Sequence, residues 1–195
     1  DINIILMIGD GMGLSQISAG TYYNNNSSAL EQFDFIGFSK THSANSLVTD
    51  SAASGTAMAC GRKTYNGAVG VSMARMPLES ILEISKSRGY TTGLIATSSI
   101  VHATPASFYA NVESRKEYQE IALQLSENQV DYFIGGGEKH FNKRDDKRDL
   151  IEEMKNKGYE IVTTLSKFQK SESKKLGYFT YKDEPPRVLD LRKPS

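Results

Sequence analysis

"PLESILEISKSRGYTTGLIAT" (Pro77–Thr97) sets the architecture, because an amphipathic segment runs directly into an apolar, β-branched one. Leu78, Ile81, Leu82 and Ser85 share one stripe at helical spacing, with Pro77 at a first helical position and Gly89 as a stop. Thr91–Thr97 then reads as a strand. A helix feeding a strand without a hairpin turn between them is half of a βαβ unit, which calls for a parallel sheet.

The same alternation extends outward in both directions. Upstream, "INIILMI" (Ile2–Ile8) is apolar apart from Asn3, as in a parallel strand buried on both faces. Downstream, "SRKEYQEIALQLSENQ" (Ser114–Gln129) predicts a helix and "VDYFIGGG" (Val130–Gly137) a strand ending in three glycines. "DDKRDLIEEMKNKG" (Asp145–Gly158) is a helix closed by Gly158, and "YEIVTT" (Tyr159–Thr164) a strand. A short helical turn "LSKFQKS" (Leu165–Ser171) and a last strand "LGYFTY" (Leu176–Tyr181) follow, while "NNNSS" (Asn24–Ser28) is a polar surface loop. The expected fold is α/β: a doubly wound, mostly parallel sheet with helices on both faces, in one domain over Asp1–Ser195. "KDEPPRVLDLRKPS" (Lys182–Ser195) stops without a further element, so the C-terminal part of a larger domain is expected beyond it.

Composition narrows the function classes. Of 195 residues 38% are hydrophobic, enough for a core, and 23 basic side chains balance 23 acidic ones, which gives no general basis for nucleic-acid or membrane binding. Cys60 is the single cysteine, so an internal disulfide and paired-cysteine metal or redox motifs are excluded. No apolar run approaches the roughly 20 residues of a membrane span, and no signal-peptide pattern precedes Ile2.

Three stretches carry chemistry. In "VTDSAASGTAMACG" (Val48–Gly61), Ser51–Cys60 reads as a slim helix with Thr49 or Asp50 as N-cap and Gly61 past its end. Such a helix can lie very close to a sheet, and Ser51 falls in the first turn, where unpaired N–H groups and the helix dipole favour an anion. In "IGDGMGLS" (Ile8–Ser15), Asp10 follows the first strand, where open α/β sheets bind ligands, and is a candidate metal ligand or a helix cap. The G-x-G-x-G spacing there departs from the dinucleotide fingerprint. In "TSSIVHATPASFYANVESRKEY" (Thr97–Tyr118), His102 and Thr104 follow a strand, with Thr104 capping a helix from Pro105, and Arg115 can return a guanidinium matched to two oxygens of a phosphate or carboxylate.

Together, "NIILMIGDGMG", "VTDSAASGTAMACGRKTYNGAVGV" and "HATPASFYANVESRKEY" resemble the alkaline phosphatases in order and spacing. The resemblance implies a phosphate monoester hydrolase with two zinc ions and a magnesium. Ser51 would be the nucleophile phosphorylated in turnover and a metal contact. Asp50 would orient Arg115, Arg115 would clamp two phosphate oxygens, Asp10 would bridge zinc and magnesium, and Thr104 would ligate magnesium. His102 stands where some members carry aspartate, which suits zinc or cobalt better than magnesium. His42 and His140 match no ligand position and are expected at the surface. The resemblance also implies small phosphate monoesters and inorganic phosphate as ligands, a homodimer, and a periplasmic or extracellular location. A further expectation is that the 195 residues alone are inactive, because the family's remaining metal ligands lie in a C-terminal half. The alternatives are a related sulfatase, phosphodiesterase or mutase and a non-catalytic phosphate-binding module; "ACGRK" at Cys60 lacks the C-x-P-x-R context of a sulfatase.

Overall fold

The computed structural model of the chain describes residues 2–128 and 130–187. They divide into two compact units, Asp1–Thr41 and His42–Ser195.

In the first unit, helix α1 spans Leu14–Tyr23 and a 3-10 helix spans Ala29–Gln32. Gln16 Oε1 accepts the Gly13 N–H at 3.1 Å, and Ser28 and Glu31 form a capping box. The expected strand at Ile2–Ile8 does not form. The stretch has no regular structure, and Ile2, Ile4, Ile5 and Met7 are each 80% exposed or more. Apolar, β-branched composition gives strand propensity, but a strand exists only with a ladder partner, and the first unit has none among its described residues. Asp10 therefore does not end a strand. It is exposed at the second position of a turn closed by Met12 N–H to Gly9 O at 3.1 Å, with Gly11 at φ +69°.

The second unit holds α2 (Ser51–Cys60), α3 (Ile81–Ser87), β1 (Gly93–Ser99), α4 (Ala103–Ala106), α5 (Tyr118–Glu127), β2 (Tyr132–Gly136), α6 (Lys139–Asn142), α7 (Leu150–Asn156), β3 (Glu160–Val162), α8 (Leu165–Lys170) and β4 (Leu176–Phe179). The four strands make one parallel sheet in the order β1-β2-β4-β3. Successive side chains of β2 point to opposite faces. Phe133 meets Phe141 of α6 and Phe179 of β4 at ring-centroid distances of 6.5 and 5.3 Å. Tyr132 and Ile134 instead join Val162, Leu176, Tyr178 and Phe168 of α8. Helix α6 thus covers one face of the sheet, while α8 covers the other only beside β4, and that second face is open at the edge strand β1, where Ile95 is 78% exposed; each buried aromatic contributes about 1.5–3 kcal/mol.

Element ends follow local chemistry more than periodicity. Helix α3 begins four residues after Pro77 because Ser80 accepts the Glu83 N–H at 3.2 Å and Glu83 returns a bond to Ser80 N–H at 2.8 Å. Asp149 caps α7 in the same way through Ile151 and Glu152. The three glycines that end β2 and follow it serve close approach: a Cβ on Gly136 would lie 2.6 Å from Asp183 O, and Gly137 has φ +93°. Of the tail, Lys182–Arg187 is irregular and passes over this glycine turn, and Val188–Ser195 lie outside the described residues. No helix among the described residues is long and apolar enough to cross a membrane.

Candidate active site

Helix α2 opens the site. Asp50 is its N-cap: Oδ1 accepts the Ala53 N–H at 2.9 Å, and Gly61 closes the far end at φ +68°. The expected boundaries hold, and Ser51 is the first helical residue. The small residues have a different neighbour from the one expected. Gly55 lies against α4 rather than against the sheet, so that an added Cβ would come 2.8 Å from Ser107 Oγ and 3.4 Å from Thr104 Cα. Ala52, Ala53 and Ala59 are buried, and Thr56 Oγ1 accepts the Gly70 N–H at 2.9 Å. A slim helix therefore brings the element that starts with Ser51 against the one that carries Thr104.

Asp50 is also the hub for the arginine. Its Oδ2 accepts the Gly67 N–H at 3.0 Å and Arg115 Nη1 at 3.2 Å. The Arg115 backbone N–H returns to Gly67 O at 2.7 Å. Asn66 secures the same corner, accepting the Asp50 N–H at 3.2 Å and donating to Val48 O at 2.9 Å. Arg115 and Asp50 keep 29% and 26% of their side chains exposed, so the pair is accessible to a solute. A guanidinium held by one arm still presents a fork of donors suited to two oxygens of one anion.

At the carboxyl end of β1, the helix begins earlier than expected. His102 occupies the N-cap position of α4, and Thr104 lies inside the helix instead of capping one that starts at Pro105. The cause is the Ala106 N–H, which bonds to His102 O at 2.9 Å and draws residues 103–106 into the turn. His102 stacks on Tyr118 at 6.4 Å, and its Nε2 lies 3.4 Å from Glu184 Oε2. His140 was expected at the surface but is partly buried beneath Tyr118, 5.2 Å away; burial first, then Lys139, pushes its imidazole below the usual 6.5. His42 is exposed, with Nδ1 2.9 Å from Ser43 O.

Of the residues singled out in the sequence, Asp50 and Arg115 are in contact, Ser51 and Thr104 lie on packed helices, and His102 stands at the adjoining strand end. Asp10 lies in the first unit. Asn66, Gly67 and Glu184 were missed. "YNGAVG" offered only a turn signal for the first two, and Glu184 follows no motif. Imidazole, hydroxyl and carboxylate donors suit a divalent cation of the zinc or magnesium kind, and a carboxylate behind the imidazole is the usual backing of a metal-binding histidine. These donors fit a share of such a site: among the described residues no group of three or more His, Cys, Asp or Glu side chains could hold a metal ion.

The sequence pattern that defines the alkaline phosphatases matches residues 2–189. The chain belongs to the alkaline phosphatase family. Alkaline phosphatase 4 of Bacillus subtilis is 42% identical over 193 residues, covering 91% of this chain and 41% of the relative. The repressible alkaline phosphatase of Saccharomyces cerevisiae is 40% identical over 191 residues, covering 85% of this chain and 34% of that protein. The alkaline phosphatase of the Antarctic bacterium TAB5 superposes with a TM-score of 0.89 at 40% identity, covering 94% of this chain and 54% of that one. A variant of the TAB5 enzyme with aspartate in place of a histidine has magnesium bound in the site called M3. The chain thus spans about half or less of the length of the alkaline phosphatases it matches.

Proposed function

We propose that this chain supplies the nucleophile and the anion clamp of a phosphate monoester hydrolase, with all its residues belonging to one α/β catalytic domain. The observation that carries the reading is the Asp50 carboxylate. It caps the helix that begins with Ser51 and holds Arg115 through the same side chain. Nucleophile and clamp are therefore fixed to one another by a single residue.

The Ser51 hydroxyl attacks the phosphorus of a small phosphate monoester and gives up its proton, the ester P–O bond breaks and the alcohol departs protonated, and Ser51 carries the phosphoryl group until water cleaves the serine P–O bond and releases inorganic phosphate. Its place in the first turn of α2 favours negative charge by roughly 1 kcal/mol. Arg115 binds two of the phosphoryl oxygens and orients the phosphorus towards Ser51, work that is mainly positioning and charge. Zinc and magnesium, when bound, would supply most of the positive charge, held in part by Ser51, His102 and Thr104. Family membership also supports a homodimer and a periplasmic or extracellular setting as parts of this proposal.

The test is turnover of a phosphate monoester, a diester and a sulfate ester by the complete protein, in wild type and in Arg115→Ala. Preference for the monoester, with a KM raised in Arg115→Ala, supports the reading. Preference for the diester or the sulfate ester moves the protein to a related reaction, and tight phosphate binding without turnover makes it a binding module.

A further inference from the structure

Asn66 ties together the stretches of chain that meet at the start of α2. Its Oδ1 accepts the Asp50 N–H at 3.2 Å and its Nδ2 donates to Val48 O at 2.9 Å, so one side chain spans the residues on either side of Thr49. Its backbone N–H donates to Asn45 Oδ1 at 3.1 Å, an oxygen that also accepts the hydroxyl of the buried Ser43. The next residue carries the link to the arginine: Gly67 N–H donates to Asp50 Oδ2 at 3.0 Å, and Gly67 O accepts the Arg115 N–H at 2.7 Å.

The Asp50 N–H is the telling group. An N-cap N–H lies outside the helical ladder, and in a capping box a glutamate or glutamine three residues on accepts it. That position here is Ala53, which has no acceptor in its side chain, and Asn66 takes the role from 16 residues away. We propose that Asn66 is a positioning residue for the anion clamp: it holds the backbone of Asp50 from outside the helix and so sets where the Arg115 guanidinium stands. This rests on the reading of Arg115 as a phosphate clamp. Arg115 is held to Asp50 through Nη1 alone, so a carboxylate that turns with its backbone carries the guanidinium with it, and binding of a tetrahedral anion depends on that placement. Asn66 itself is exposed, where water can replace its bonds, so its weight falls on the geometry of the clamp more than on the fold.

A double-variant cycle separates the two roles. The complete protein is prepared as wild type, Asn66→Ala, Arg115→Ala and the pair together, and each is titrated with inorganic phosphate by calorimetry, with phosphate monoester turnover and thermal melting alongside. Asn66→Ala is expected to weaken phosphate binding about three- to tenfold, the scale of one hydrogen bond. In the Arg115→Ala background the same substitution should change phosphate affinity less than about twofold, while its effect on melting is equal in both backgrounds. Asn66→Asp, which keeps the side-chain shape, enters the same cycle should alanine fail to fold; its charge repels phosphate with or without Arg115 and cancels from the coupling. Unchanged phosphate affinity in Asn66→Ala, or equal weakening with and without Arg115, overturns the proposal. Coupled loss of phosphate affinity in a complete protein that hydrolyses no phosphate monoester upholds the positioning and sinks the phosphatase reading, and turnover without the coupling does the reverse.

Discussion

Asp50 and Arg115 are joined through one carboxylate oxygen, Oδ2 to Nη1 at 3.2 Å, while the other oxygen of Asp50 caps the helix that Ser51 begins. Stability and substrate binding therefore separate by substitution. Asp50→Asn keeps an oxygen for the Ala53 N–H but turns an amide donor towards the Gly67 N–H, so melting should fall less than in Asp50→Ala while Arg115 loses its anchor and the KM for a phosphate monoester rises. Asp50→Ala should do both, with about 1 kcal/mol of stability lost at the cap. Equal melting temperatures for asparagine and alanine, measured by calorimetry, would contradict the cap.

Gly55 sets how near α2 lies to α4. Gly55→Val places new carbon where Ser107 Oγ and the Thr104 backbone already stand, and overpacking of this kind costs about 1–3 kcal/mol. At this chain length that corresponds to a melting temperature lower by roughly 2–12 °C. A variant that melts with wild type would show that the two helices are not in tight contact.

Asp131 gives the acid limb of stability. Burial raises its carboxyl, but the Lys86 ammonium and the Thr92 N–H and hydroxyl outweigh that effect and leave it below the ordinary 3.8. Since the folded pKa lies below the unfolded one, the stabilisation is complete above the ordinary value and is lost as pH falls through the folded value. Urea midpoints should therefore drop for wild type from about pH 4 downwards, with a smaller drop for Asp131→Asn, which at neutral pH should be less stable by about 1–3 kcal/mol. Parallel pH profiles for the two proteins would rule this out.

Burial, helped by Glu83, pushes the Cys60 thiol up to about 11. Little thiolate exists at pH 8, and thiolate is the reactive form. Labelling with iodoacetamide should be at least tenfold slower in the folded chain than in urea, where the thiol returns to roughly 8.5. Similar rates in both states would mean that the thiol is not enclosed by α2, Leu78 and Ser107 as the structure has it.

Local chemistry was legible where it is self-contained. The α2 boundaries followed from Asp50, an alanine run and Gly61, because capping involves only residues within one turn. Most of the helix and strand alternation from Ile81 to Phe179 followed from periodicity, and with it the parallel sheet, whereas the single-turn helix α6 was missed because four residues are too short to show a period. Ile2–Ile8 was misread because apolarity gives propensity and no partner, and a strand is completed by its neighbour. The slim helix Ser51–Cys60 was expected close to a sheet because smallness says that something approaches closely without saying what. Glu184 was invisible, since its pairing with His102 spans 82 positions of chain and depends on how the segment after β4 crosses Gly136.

Ser51 carries the central claim, and trapping a covalent intermediate tests it most directly. The complete protein is mixed with a phosphate monoester, quenched in acid and digested, and the peptide containing Ser51 is weighed by mass spectrometry. One phosphoryl group on Ser51 is the expected result, absent in Ser51→Ala, whose turnover should fall by several orders of magnitude because the nucleophile itself is gone. An unmodified Ser51 peptide from wild type, together with a Ser51→Ala variant that keeps more than about a tenth of the activity, would contradict it.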